Sequence, residues 1–132
     1  MTEATGRRLV SSGGPWESTV GYSRALAIGD HCWVSGTSDA GPEGTSRHPG
    51  DAGAQARAIF GIIERALDEA GFGLADVVRT RIYIVDAADA AAVLEVHGEL
   101  FRAIRPVATL VIVAGLLDPS LLVEIEAEAQ RL

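Results

Sequence analysis

Cysteine is nearly absent from this chain, and aromatic residues make up only 5% of it. The single cysteine, Cys32, excludes an internal disulfide and any zinc cluster built on cysteines, so a reduced, cytoplasmic setting is expected. Positive charge is also in short supply. A net charge of −7 with scattered arginines argues against an electropositive track for a phosphate backbone, and no nucleic-acid partner is expected. No apolar run approaches the length of a membrane span, and residues 1–10 lack the apolar core of a signal peptide, so no membrane association is expected. Metal-ligand spacing is missing around His31 and His48, and no metal is expected. Ser11, Ser12 and Ser35 lack a Ser-His-Asp context, and no lysine follows Gly13-Gly14-Pro15 as a phosphate loop requires.

What remains is ordinary globular material. Hydrophobic residues are 48% and charged residues 22% of 132, enough for one domain over residues 1–132. Strand patterns fall at residues 7–12, 22–28 and 31–35, the last two flanking Gly29-Asp30 as a two-residue hairpin. Gly, Pro, Ser, Thr and Asp mark residues 36–50 as a loop. Asp51 then starts a helix with Ile59, Ile62, Ile63, Ala66, Leu67 and Ala70 at helical spacing, and Gly71 stops it. Residues 77–85 read as a strand, 87–104 as a second helix with Val93, His97, Leu100, Phe101 and Ile104 on one stripe, and 107–113 and 122–129 as two final strands. The order β-β-β-α-β-α-β-β predicts an α+β fold, a sheet with both helices on one face.

That leaves the second face of the sheet to account for. In residues 77–85 the even positions Val78, Thr80, Ile82 and Ile84 suit the helix side, and Arg79, Arg81 and Tyr83 face away. Residues 107–113 are apolar on both faces, so both faces need cover. One layer of helices covers only one of them. The uncovered patch predicts a homo-oligomer packed through the sheet; a long loop folded over that face is the alternative.

Five segments resemble the RidA/YjgF reactive-intermediate deaminase family (endoribonuclease L-PSP-like). Gly21-Tyr22-Ser23-Arg24-Ala25 and Val34-Ser35-Gly36-Thr37 are similar to its paired G-P-Y-S-x-A and T-S-G-Q signatures. Gln55-Ala56-Arg57, the strand beginning Leu74-Ala75-Asp76, and Val123-Glu124-Ile125-Glu126-Ala127 match its later segments in order. The resemblance implies a chorismate-mutase-like subunit in a homotrimer, with a small-molecule cleft at each subunit interface. Members with the full site hydrolyse imines and enamines without metal or cofactor. An arginine grips the substrate carboxylate, while a glutamate and a tyrosine position or activate water.

Position by position, the tyrosine falls on Tyr22 and the glutamate on Glu124, the two expected catalytic residues. The Ser-Gly pair falls on Ser35 and Gly36. The arginine falls on Ala108, beside Thr109, and the cysteine common two residues later is Leu110. The carboxylate grip is therefore missing, and with it a contact worth about 2–5 kcal/mol. Arg79, Arg81 and Arg105 are the candidates to replace it, although Arg79 and Arg81 read equally well as an outward row. His97 is a ligand contact or a hydrogen-bonded core histidine, and Trp16 is a ligand wall or a cap on the core. Glu124 reads either as a site residue or as part of a solvated acidic edge with Glu126 and Glu128. Two functional classes follow: a hydrolase acting on a C–N bond of a substrate other than a standard 2-iminoacid, or a non-enzymatic small-molecule-binding trimer.

Overall fold

The computed structural model describes residues 6–132. Six strands form one mixed sheet in the order β1-β2-β3-β6-β4-β5. They are β1 (Arg8–Val10), β2 (Ala25–Ile28), β3 (His31–Thr37), β4 (Val77–Ile84), β5 (Val107–Ile112) and β6 (Val123–Gln130). Helices α2 (Ala52–Glu69) and α3 (Ala90–Phe101) supply the apolar stripes of the core. A four-residue helix, α1 (Glu17–Val20), precedes β2 and was not foreseen. All neighbours pair antiparallel except β4 and β5, which run parallel and are joined through α3. The architecture is thus α+β, in the expected order apart from α1.

Local chemistry explains the boundaries. Ile28 pairs with His31 across Gly29-Asp30, and Gly29 takes the left-handed φ of 57° that this tight hairpin needs. Asp51 caps α2, its side chain accepting from the Ala54 N–H at 3.0 Å. At the far end Gly71 turns left-handed at φ 88°. One side of α2, including Ile59, Phe60, Ile63 and Leu67, is buried at a spacing of three and four residues.

The inner sheet face meets these helices through Val34, Ile82, Ile84, Val123, Ile125 and Ala127, all buried. Cys32 lies there too, and burial pushes its thiol up to about 11, which makes it an inert core residue. Gln55 is buried among the loops: its amide donates to the His48 and Ser120 carbonyls and its oxygen accepts from the Leu122 N–H.

Two expectations need correction. Val78 was placed on the helix side but is 43% exposed, while Val77 is buried. The β4–β6 register shifts between Val77 and Arg79, and this bulge inserts one extra residue and flips the faces. From Thr80 onward the expected alternation holds. In β5, Ala108, Leu110 and Ile112 share the inner face with Thr80, Ile82 and Ile84. Only Leu110 packs on the core, and Ile112 is 57% exposed. The helix layer stops short of this edge strand, so β5 is open on both faces within one chain.

Candidate functional site

Glu124 starts the outer face of β6, opposite Tyr83 on β4. On its other side the β3–β6 ladder breaks between Val34 and Thr37. Ser35 and Gly36 occupy that break, and Gly36 is there for space: a Cβ on it would lie 2.6 Å from Glu124 Oε2. The carboxyl therefore sits against bare backbone. Burial raises its pKa above the ordinary value, with Arg24 opposing and Glu126 adding to the rise.

Arg24 is the residue that reading the sequence missed as a site residue. It is buried, and every arm of its guanidinium is engaged. Nη1 donates to the Gly36 carbonyl at 2.7 Å and to Thr37 Oγ1 at 3.0 Å. Nε donates to Ser12 Oγ at 3.3 Å, and Nη2 donates to Tyr22 Oη at 3.3 Å. Its counter-ion is buried Glu17, 3.7 Å away, on α1. Glu17 in turn accepts from Ser12 Oγ at 2.6 Å, from the Gly14 N–H at 2.9 Å and from Ser11 Oγ at 3.0 Å. Burial acts to raise the Glu17 carboxyl, but those hydrogen bonds and the Arg24 charge hold it below the usual value. The signal in the sequence was the arginine inside Gly21-Tyr22-Ser23-Arg24-Ala25; nothing local announced that it would be buried.

Because Arg24 donates to Tyr22 Oη, the phenol's own proton is left for another acceptor. Ser35 Oγ donates to the Ser23 carbonyl at 2.6 Å and fixes the strand beside it. These groups line one cavity of about 920 Å³ that also takes in Trp16, Asp39, Arg47 and Arg65. Trp16 is half-buried, with its ring packed on Gly44; Gly44 has a φ of 83°, and a Cβ there would lie 3.2 Å from the indole. The structure thus gathers Tyr22, Glu124, Ser35, Gly36 and Trp16 into one place.

The other expected residues lie elsewhere in the chain. Arg79 lines a second cavity, of about 620 Å³, on the outer sheet face. Tyr22 and Ser35 line both cavities. Arg79 is paired with Glu128 at 3.5 Å and Arg81 with Glu126 at 3.4 Å, each through a single nitrogen. Tyr83 also donates to Glu126, at 2.8 Å, and that bond, with burial, pushes its phenol up. Arg105 is exposed, with its backbone turned left-handed at φ 59° before Pro106. Ala108 and Thr109 sit on the open edge strand and line neither cavity. His97 points into the core, 2.8 Å from Thr80 Oγ1 and edge-on to Phe60, and burial lowers its pKa. That is the core-histidine alternative. Of the two remaining histidines, His31 stacks on Trp33 and lies 3.3 Å from Glu128, while His48 lies 3.1 Å from Asp39.

A six-stranded mixed sheet backed by two helices, with a half-buried carboxyl and a tyrosine at a break in the central ladder, defines a small α+β domain of chorismate-mutase-like architecture. Comparison with known proteins makes the assignment specific. The family described as Endoribonuclease L-PSP matches residues 15–131. A crystal structure from Mycobacterium tuberculosis, described as a member of the YjgF/YER057c/UK114 family, is 49% identical with a TM-score of 0.85, covering 95% of this chain and 99% of that one. An uncharacterized protein of Streptomyces coelicolor is 41% identical over 99% of this chain and 96% of its own length. A RutC family protein of Pyrococcus abyssi is 33% identical over 83% of this chain and 86% of its own. The chain belongs to the RidA/YjgF family.

Proposed function

We propose that this protein is a RidA-family hydrolase for an imine, enamine or related C–N bond whose substrate lacks the carboxylate of the standard 2-iminoacids. It acts as a homotrimer with its clefts between copies. The observation that carries this reading is Glu124: a half-buried carboxyl of raised pKa, facing a cavity beside a tyrosine whose acceptor side is already occupied by Arg24. A carboxyl shifted toward neutrality suits proton transfer in both directions. Water adds to the C=N carbon while the Glu124 carboxylate takes its proton. The same carboxyl returns that proton to nitrogen to give a carbinolamine, then takes the carbinolamine's hydroxyl proton and passes it to nitrogen as the C–N bond breaks, leaving a carbonyl compound and ammonia or an amine. Tyr22 donates its hydrogen bond to orient water or the substrate.

Ala108 supports the restriction on substrate. Arg24 is saturated, and Arg79 and Arg81 each already face a carboxylate, Glu128 and Glu126, which weighs against these three as a replacement grip. The name of the matched family includes a ribonuclease activity, but the charge of −7 argues against an RNA substrate for this chain. The same Ala108 favours a second reading, a non-enzymatic small-molecule-binding trimer.

The experiment is hydrolysis of imines generated in situ, with and without an α-carboxylate. The expected result is turnover of the carboxylate-free imine, lost in Glu124→Gln. Turnover of carboxylate-bearing imines at equal or better efficiency refutes the restriction. An unchanged rate in Glu124→Gln refutes the role of that residue, and absence of turnover on every imine favours the binding protein.

A further inference from the structure

We propose that the end of the cavity walled by α2 takes an anionic group carried on an apolar, aryl-sized body, and that Arg47 and Arg65 hold that anion. This rests on reading the cavity beside Tyr22 as the ligand site and names a substrate class for it. At about 920 Å³ the cavity lies at the upper end of the range for small-molecule pockets, far more than a small imine fills. Its two ends also lie on opposite sides of the sheet. Glu124 projects from the outer face of β6, whereas α2 packs on the inner face through Ile59, Ile63 and Leu67. A group held at α2 is separated from Glu124 by the thickness of the sheet, so it is not a substituent of the reacting carbon.

The charges along the lining differ in what they already bind. Arg24 is paired with Glu17 and saturated, and Asp39 holds Ser46 and His48. Arg47 and Arg65 have no ion-pair or hydrogen-bond partner among the described residues. Both are exposed, yet each folds back onto a glycine of the lining. The Arg47 guanidinium carbon is 3.7 Å from where a Cβ on Gly41 would stand, and Arg65 Nη1 is 3.6 Å from where one on Gly61 would stand. Both glycines line the cavity, so each charged head rests on the cavity wall. Glu69 and Glu124 are the other acids of the lining. Glu69 is exposed at the end of α2 and makes no ion pair with Arg65, so it leaves that cation unneutralised.

Two unpaired guanidinium groups, one from the loop before α2 and one from α2 itself, thus meet at one cavity. Their planar forks suit a carboxylate, sulfonate or phosphate, which accepts two parallel hydrogen bonds from each. Salt screens exposed charges at a distance, so it is these direct bonds that select the anion. The body of the ligand meets apolar groups: Trp16, Pro15 and Pro42 from the loops and Ala58, Ile62 and Ala66 from α2. Trp16 is half-buried with its ring packed on Gly44, a fixed surface on which a planar group stacks.

The test titrates four probes into the whole protein, read by calorimetry and by amide and indole NMR shifts: 2-naphthoate, 2-naphthylmethanol, 2-naphthylmethylamine and acetate. The naphthoate is expected to bind about tenfold or more tighter than the alcohol, with the amine weakest and shifts at Gly41, Gly61 and the Trp16 indole. Acetate, which has the charge without the body, is expected not to bind at millimolar concentration. Replacing both exposed arginines, Arg47→Gln with Arg65→Gln, is expected to keep the melting temperature and bring the naphthoate down to the level of the alcohol. If this double variant unfolds, the wild-type order of acid, alcohol and amine still decides the matter. Alcohol or amine binding as tightly as the acid overturns the proposal. So does an acid preference that survives in the folded double variant, acetate matching the naphthoate, or no naphthoate binding at millimolar concentration. Failure here is separable from failure of the hydrolase reading: an acid-selective site with no imine turnover sinks only the latter, and turnover without acid selectivity sinks only the former.

Discussion

Burial raises the Glu124 carboxyl, and Arg24, on the other side of Gly36, opposes that rise without cancelling it. At the scale of single residues this predicts a pH signature. The folded pKa lies above the unfolded value, so ionising Glu124 penalises the native state. The penalty is absent below the unfolded pKa, grows as pH rises through the folded one and is constant above it. Glu124→Gln should therefore melt higher than wild type near neutral pH and converge with it below about pH 4. Glu17 has the opposite sign. Its folded pKa is lowered, so its stabilisation is present above the unfolded value and is lost as pH falls through the folded one. Glu17→Gln should be the less stable protein at neutral pH, with the difference closing in acid. Thermal melts of both variants across this range check the two signs, and parallel curves would refute the assignments. Glu124 and Tyr22 were legible in the sequence because they sit in recognisable motifs. Arg24 was not, because its importance lies in burial and in partners such as Gly36 and Thr37, twelve and thirteen residues away.

Single elements are held in place here by a few polar side chains inside an otherwise apolar core. Gln55 on α2 satisfies the His48 and Ser120 carbonyls and the Leu122 N–H, tying the loops before α2 and before β6 to one helix. Gln55→Leu keeps much of the volume but orphans the Ser120 carbonyl and the Leu122 N–H, while the His48 carbonyl keeps the Asp51 N–H. It should cost at least about 1–3 kcal/mol in denaturant unfolding. An undiminished midpoint would mean that water replaces the amide. The helices and most strands could be read from periodicity, since α2 buries Ile59, Ile63, Ala66 and Leu67 as the pattern predicted. Two features could not. The bulge at Val78 leaves no mark in an alternating β-branched run, and α1 is four residues held by Glu17, too short for any periodic signal.

At the scale of the whole molecule, the outer sheet face and the β5 edge are left without cover by the chain itself. Val107, Val111 and Ile112 are 59%, 40% and 57% exposed, and Trp33 on β3 is 39% exposed. Buried against copies of the chain, this surface supplies the apolar area that an assembly needs. Light scattering should report a particle of three chains at micromolar concentration, and Val111→Glu should shift it toward one. A wild-type monomer would refute the trimer. Among the described residues no helix is long and apolar enough to cross a membrane, so these exposed side chains are not part of a helical span.

The sequence by itself determined the α+β order, the hairpin at Gly29-Asp30, the helical stripes and the family, because each is written in local periodicity or in contiguous motifs. It also puts Ala108 where the resemblance leads one to expect an arginine, a matter of identity at one position. Tertiary structure decided which charges are free. Arg79 and Arg81 meet Glu128 and Glu126 only when β4 pairs with β6, and Arg24 meets Glu17 only when the loop before α1 closes over it. Whether a charge is paired depends on its neighbours in space, and residue spacing does not encode that.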